Sequence, residues 1–296
     1  MVCTTIASFR AARREVLSKL RASSGAEPSL GLVPTMGSLH AGHAALMAAS
    51  TAENDATAAS VFVNPLQFAP DEDFATYPRD LEADVAKLAE AGCDLVFAPS
   101  PDDEMYGRNH RCFVVPEGFD QLSEGAARPH FFRGVATVVA KLFNIVQPTR
   151  AYFGEKDAMQ CVVVQRIVED LSMPLDVVLV PSIREADGLA MSSRNAGLSP
   201  PARAAAVALH RALRAMEARA ADLRYAAGDA VPRAALVDAA RAVLNDEPLV
   251  ETVDYVSVAS RHTMEELDVV AHAEGGAVLS LAARVGGVRL IDNVLL

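Results

Sequence analysis

Two histidines three positions apart, His40 and His43, flank Ala41 and Gly42 directly after the run Pro34-Thr35-Met36-Gly37-Ser38-Leu39. Imidazoles at i and i+3 share one helical face, where they can donate hydrogen bonds to an anion. Residues 42–49 are rich in Ala, Leu and Met, so the pattern predicts a helix starting between His40 and Gly42. A helix start adds free N–H groups and the positive end of the helix dipole, which together favour phosphate. Gly37 and Gly42 would let the backbone approach such a ligand closely. Zinc ligation of the protease type requires i, i+4 spacing and an intervening Glu, and the segment has neither. Strand, turn and helix in this order also occur in many α/β proteins with no such role.

Three further loops carry chemistry. Asn64-Pro65-Leu66-Gln67-Phe68 follows an apolar run and offers two amides that donate and accept at once, as recognition of a hydroxy acid requires. Gly154-Glu155-Lys156-Asp157 puts a lysine at a helix start, suited to phosphate. After Pro181-Ser182-Ile183-Arg184 comes Met191-Ser192-Ser193-Arg194-Asn195, with hydroxyls and a guanidinium side by side on a loop that Gly188 is expected to make mobile. Taken singly, each loop also reads as an ordinary turn or a solvated charged surface.

The elements that must hold these loops alternate. Short apolar strands are predicted at residues 30–33, 58–63, 95–98, 151–153 and 177–180, the first ended by Pro34, which lacks a backbone donor. Helices are predicted at residues 42–52, 81–91, 134–146 and 159–171, and Ile6, Phe9, Val16 and Leu20 recur at helical spacing before them. This alternation predicts an α/β fold with a parallel sheet, which binds ligands beyond the carboxyl ends of its strands. Past residue 199 the texture changes to helices at 200–226 and 232–244 and strands at 252–258, 277–281 and 288–294, a small α+β domain. The arginines from Arg203 to Arg224 are interleaved with Glu217 and Asp222, as on a solvated helix face.

With 296 residues, 51% hydrophobic and 22% charged, the chain has the composition of a globular protein. A net charge of -11 argues against a broad nucleic-acid or anionic-membrane surface, so any polyanion site must be local. The start of the chain carries Arg10, Arg13, Arg14 and Arg21 but no continuous apolar segment, and no later run approaches the roughly 18 apolar residues of a spanning helix. Cys3, Cys93, Cys112 and Cys161 lack paired metal spacing and are expected to be free thiols. The expectation is a cytoplasmic protein with neither nucleic-acid nor membrane partners.

The ordered set Pro34 to His43, Phe62-Val63-Asn64-Pro65-Leu66-Gln67-Phe68, Tyr77-Pro78-Arg79, Phe132-Arg133-Gly134-Val135, Phe153 to Asp157, Arg184 to Asn195 and Arg289-Leu290-Ile291-Asp292-Asn293 closely resembles the pantoate–beta-alanine ligase family. The resemblance implies a Rossmann-like domain binding ATP and pantoate over residues 1–185, a C-terminal lid domain over residues 186–296, and a homodimer. It also implies that pantoate attacks the α-phosphorus of ATP, with magnesium on the phosphates, and that beta-alanine then displaces AMP.

By the same resemblance Met36, Gly37, Ser38, Leu39, His40, Ala41, Gly42 and His43 would line the ATP phosphates, with His43 the proton donor and His40 its phosphate-binding companion; His43 is read as acting mainly electrostatically, since imidazolium and ammonium groups there would stabilise the charge on the leaving group. Lys156, with Ser192, Ser193 and Arg194 on a closing loop beside Met191, would neutralise phosphate charge; Lys156 and Arg194 would thereby be catalytic. Gly154, Glu155 and Asp157 would hold the nucleotide, and Ile183 would meet adenine through its backbone. Gln67 and Gln160 match the family's pantoate-binding glutamines, Asn64 is a pocket neighbour, and Asp84 is the protein contact suggested for magnesium. The chain departs from the pattern at Phe131, where the family commonly has a histidine; here His130 stands one place earlier and is not carried over. A different nucleotidyltransferase would lack Gln67 and Gln160 in this setting, and an inactive nucleotide sensor would lack Lys156 and the Ser192, Ser193, Arg194 group.

Overall fold

The computed structural model describes residues 1–70, 72, 74–100, 104–227, 230–271 and 276–296. In chain order the elements are β1 (Val2–Cys3), α1 (Ile6–Ser24), β2 (Leu30–Thr35), α2 (Ala41–Glu53), β3 (Ala56–Val61), α3 (Leu81–Glu90), β4 (Leu95–Phe97), α4 (Ser123–Ala127), α5 (Phe131–Val146), β5 (Arg150–Gly154), α6 (Ala158–Asp170) and β6 (Asp176–Val180). They continue with α7 (Pro200–Ala205), α8 (Val207–Ala227), β7 (Ala230–Pro232), α9 (Arg233–Asn245), β8 (Val250–Ser260), β9 (Val269–Ala271), β10 (Ala277–Val285) and β11 (Val288–Leu295). The chain forms two compact units: Met1–Glu117 with His130–Glu155 and Val163–Pro181, and Gly118–Pro129 with Lys156–Val162 and Ser182–Leu296.

The first unit is built on a parallel sheet of strand order β1-β4-β3-β2-β5-β6. Its strands read as short apolar runs because they are buried on both faces, with Leu32, Val33, Ala58, Ala59, Leu95 and Phe97 essentially inaccessible. From β2 the chain adds β3 and β4 on one side and then returns to add β5 and β6 on the other, so the strand order reverses between β2 and β5. At such a reversal the crossover helices leave on opposite faces and open a crevice at the carboxyl ends.

Pro34 does not end β2 as expected. The strand continues through Pro34↔Ser60 and Thr35↔Val61, because β5 pairs with β2 only at Gly31 and Leu32, and the missing donor falls beyond that ladder. The edge strand β1, too short to leave a periodic signal, pairs Val2 with Val96 and Cys3 with Phe97. Helix α5 is apolar on nearly every side and is correspondingly buried from Gly134 to Ala140.

The second unit packs α8 and α9 on an antiparallel sheet of order β11-β10-β8, with β7 and β9 as a separate pair. Leu209, Leu213, Met216, Leu236, Leu279 and Leu281 form its core. Gly118–Pro129 and Lys156–Val162, distant in sequence from the rest of this unit, belong to it. The Arg289 guanidinium binds both oxygens of Glu124 at 2.9 and 2.8 Å and Asp254 at 2.6 Å, which ties Gly118–Pro129 to β8 and β11. Among the described residues no helix is long and apolar enough to cross a membrane, and none of the four cysteines is in a disulfide.

Candidate active site

In the first unit, the segment after β2 is fixed from three directions. The Thr35 hydroxyl donates to the Ser60 carbonyl at 2.6 Å and accepts the Gly37 N–H at 3.2 Å. Gly37 and Ser38 then turn through positive φ, 83° and 53°. Asp84, in the first turn of α3, accepts the N–H groups of Ser38 and Leu39, each at 2.8 Å, and Lys87 donates to the Leu39 carbonyl at 2.7 Å. Both oxygens of Asp84, which is buried, thus anchor the loop.

His40 is the N-cap of α2. Its Nδ1 accepts the Gly42 N–H at 3.1 Å, and the Nδ1 of His43 accepts the His40 N–H at 3.3 Å, a reciprocal capping box made by two imidazoles with ring centroids 4.2 Å apart. A cap of this kind is worth about 1 kcal/mol to the helix. Gly42 is required by the cap itself: a Cβ there would lie 2.8 Å from Cε1 of His40. In this geometry each Nδ1 is the acceptor of its ring, which leaves Nε2 as the nitrogen that can donate. What the pair presents is two Nε2–H donors at a helix N-terminus.

The amide pair is equally determined. Leu66 N–H donates to Asn64 Oδ1 at 3.3 Å and Asn64 Nδ2 donates to the Gly134 carbonyl at 3.1 Å, so backbone groups fix which end of the amide is oxygen. Asn64 Nδ2 also meets Gln67 Oε1 at 3.0 Å, and Gln67 Nε2 then faces Met36 Sδ at 2.9 Å. Gln67 therefore offers N–H on its Met36 side. Tyr106, which the sequence did not single out, donates its hydroxyl to Asn64 Oδ1 at 2.8 Å. The contact of α5 with this turn depends on Gly134, where a Cβ would lie 2.2 Å from the Leu66 carbonyl oxygen.

Gly154 ends β5 in the first unit, and the Glu155 N–H donates to the Val180 carbonyl at 2.9 Å. Lys156, Asp157 and Gln160 belong to the second unit, where the Asp157 carbonyl accepts the Cys161 N–H at 3.0 Å and opens α6. Ile183 and Met191 face each other across a hairpin closed by the Met191 N–H on the Ile183 carbonyl at 2.9 Å and by the Arg184↔Ala190 bridge. Ser192 caps the turn Ser193–Gly197, its Oγ accepting the Arg194 N–H at 3.3 Å. Gly188, one of the residues behind the expectation of a mobile loop, turns through φ 97°, and a Cβ at this position would fall 2.1 Å from the His210 ring. The hairpin is also forked by Arg203, which binds Asp187 at 2.8 Å and Glu185 at 2.7 Å.

Comparison with known proteins shows the family of the chain. The sequence profile of the Pantoate-beta-alanine ligase family matches residues 1–295. The chain belongs to the pantoate–beta-alanine ligase family. It is 53% identical to the pantothenate synthetase of Chloroflexus aggregans, over 95% of this chain and 98% of the relative, and 51% identical to that of Herpetosiphon aurantiacus, over 100% and 99%. The crystal structure of pantothenate synthetase from Thermus thermophilus superposes with a TM-score of 0.86 at 45% identity, covering 99% of this chain and 98% of that one. The ligase of Francisella tularensis, solved with beta-gamma ATP and beta-alanine, gives 0.78 at 29% identity, covering 100% and 97%. As a pantoate–beta-alanine ligase, the enzyme joins the pantoate carboxylate to the amine of beta-alanine. A carboxylate does not react with an amine at neutral pH without activation, so the site must supply that activation.

Proposed function

We propose that activation is adenylation. A pantoate carboxylate oxygen attacks the α-phosphorus of ATP, the bond to the β-phosphate oxygen breaks, and pyrophosphate leaves. The amine of beta-alanine then adds to the acyl carbon, loses a proton, and expels AMP with the bridging oxygen. The observation that carries this reading is the imidazole capping box: two Nε2–H donors on a helix N-terminus, beyond the carboxyl end of the strand beside the reversal of strand order.

Each group has a physical task. Phosphoryl chemistry of this kind is governed by positioning and by stabilisation of charge on the leaving oxygens. His40 and His43 donate hydrogen bonds to phosphate, Lys156 and Arg194 add full charges, and Ser192 and Ser193 add hydroxyl donors. Backbone from Met36 to Gly42 and from Gly154 to Asp157, with Met191, lines the nucleotide, and Ile183 takes adenine. Gln67 and Gln160 bind pantoate, and Gln67 meets an acceptor oxygen of it, since its own oxygen is held by Asn64.

Magnesium enters as MgATP, carried on the phosphates. No group of three His, Cys, Asp or Glu among the described residues is arranged to hold a metal, and Asp84 is assigned to loop anchoring. The working enzyme is taken to be a cytoplasmic homodimer.

The test is to follow pyrophosphate, AMP and pantothenate with substrates omitted in turn. Adenylation requires pyrophosphate release with pantoate and ATP alone, and AMP only after beta-alanine is added. Pyrophosphate that appears only when the amine is present would refute the order of steps.

A further inference from the structure

Strand β11 carries two adjacent buried polar residues, Asp292 and Asn293, among Leu290, Ile291 and Val294. A carboxylate and an amide buried on a strand must find partners, and here the partners lie on the two segments of the second unit assigned above to phosphate. The Asn293 side-chain amide donates to the backbone carbonyl of Lys156 at 2.7 Å. Asp292 receives both ends of the Arg184 guanidinium, at 2.7 and 2.9 Å, and also accepts the Asn293 N–H at 2.8 Å. The same guanidinium donates to the carbonyls of Gly188 and Asn293, each at 3.0 Å. Arg184 begins the hairpin that delivers Met191, Ser192, Ser193 and Arg194.

We infer that Asp292 and Asn293 are positioning residues for adenylation: Asn293 sets the backbone from which the Lys156 ammonium reaches, and Asp292, through Arg184, sets the hairpin that carries the hydroxyl and guanidinium donors. The physical need is specific. A lysine ammonium sits on a four-carbon stem with many rotamers, so its average distance from a phosphate is controlled by where its backbone is held. A side-chain amide bonded to that backbone carbonyl fixes the start of the stem whatever the stem itself is doing. The bidentate Arg184–Asp292 pair does the same for the hairpin, because its planar fork defines orientation as well as distance. One strand, distant in sequence from both segments, thereby sets both with adjacent residues.

This inference rests on Lys156 acting on phosphate, and the experiment separates the two claims. Pantoate-dependent exchange of labelled pyrophosphate into ATP is measured for Asn293→Ala, Lys156→Ala and the double variant. If Asn293 acts through Lys156, Asn293→Ala lowers exchange about tenfold, and the double variant is no slower than Lys156→Ala, as coupled residues require. The KM for pantoate should stay near wild type, a split that general loosening of the fold would not give. Asn293→Asp keeps the side-chain shape but turns the donor into an acceptor facing the Lys156 carbonyl, so it should lose at least as much and show the same coupling. Asp292→Asn should couple to Arg194→Ala in the same manner. Losses that multiply in the double variants, or wild-type exchange in Asn293→Asp, overturn the inference. Wild-type exchange in Lys156→Ala would overturn the phosphate reading beneath it, and the inference with it.

Discussion

The Nδ1 of His43 accepts the backbone N–H of His40 at 3.3 Å, so the second histidine of the pair closes the helix cap that the first one opens. Its ring is thereby committed to one tautomer and one orientation, with Nε2–H as the donor it can offer a phosphate.

From this follows a distinction between two isosteres. Gln can place an N–H near the position of Nε2, whereas Asn ends near Nδ1 and reaches no further. His43→Asn should lose pantoate-dependent pyrophosphate exchange by about a hundredfold, the usual size for one lost transition-state donor, while His43→Gln retains distinctly more. Equal losses in the two variants would mean that the ring acts in some other way than as an Nε2 donor.

A second expectation concerns Gly134. Its hydrogen allows α5 to lie against the turn Pro65–Gln67, and a methyl there would press on the Leu66 carbonyl from 2.2 Å and on the Gln67 nitrogen from 2.8 Å. Gly134→Ala should raise the KM for pantoate roughly tenfold or more through displacement of Gln67, with little change for ATP. Parallel changes in both constants would argue that the turn does not serve pantoate alone.

His210 gives a prediction about pH. Its Nδ1 is buried without a partner among the described residues, and burial first, then the charge of Arg184, lower its pKa below the ordinary histidine value. Asp292 and Glu217 oppose this shift, while Arg214 adds to it. The sign follows from linkage: the unfolded chain takes up the proton more readily than the native one, so stability is full above the ordinary value and falls as pH drops through it. Between about pH 7.5 and about pH 5 the Tm of the wild type should fall more steeply than that of His210→Gln. Parallel Tm curves would assign the acid sensitivity elsewhere.

Much of this architecture is written in the sequence. Apolar runs of a buried parallel sheet, the helix start at His40 and the paired amides at Asn64 and Gln67 are local signals, each produced by residues that are neighbours in the chain. What escaped was produced by distant partners. Pro34 stays in its strand only because β5 pairs elsewhere. Tyr106 acts on Asn64 through a loop with no regular pattern. The contact between Gly188 and the His210 ring joins residues far apart in the chain. The i, i+3 spacing of the two histidines was legible, whereas the capping box they close depends on the backbone turn at Gly37 and Ser38. Asp292 and Asn293 were visible as polar residues in an apolar strand, and only their partners reveal what they hold.

The chemistry itself is tested most directly by following an oxygen atom. Pantoate labelled with heavy oxygen in its carboxylate is turned over with ATP and beta-alanine, and the products are weighed by mass spectrometry. Attack of the carboxylate on the α-phosphorus, followed by displacement at the acyl carbon, leaves one labelled oxygen in AMP and none in pyrophosphate. Label in pyrophosphate or inorganic phosphate, or unlabelled AMP formed together with pantothenate, would contradict the adenylate.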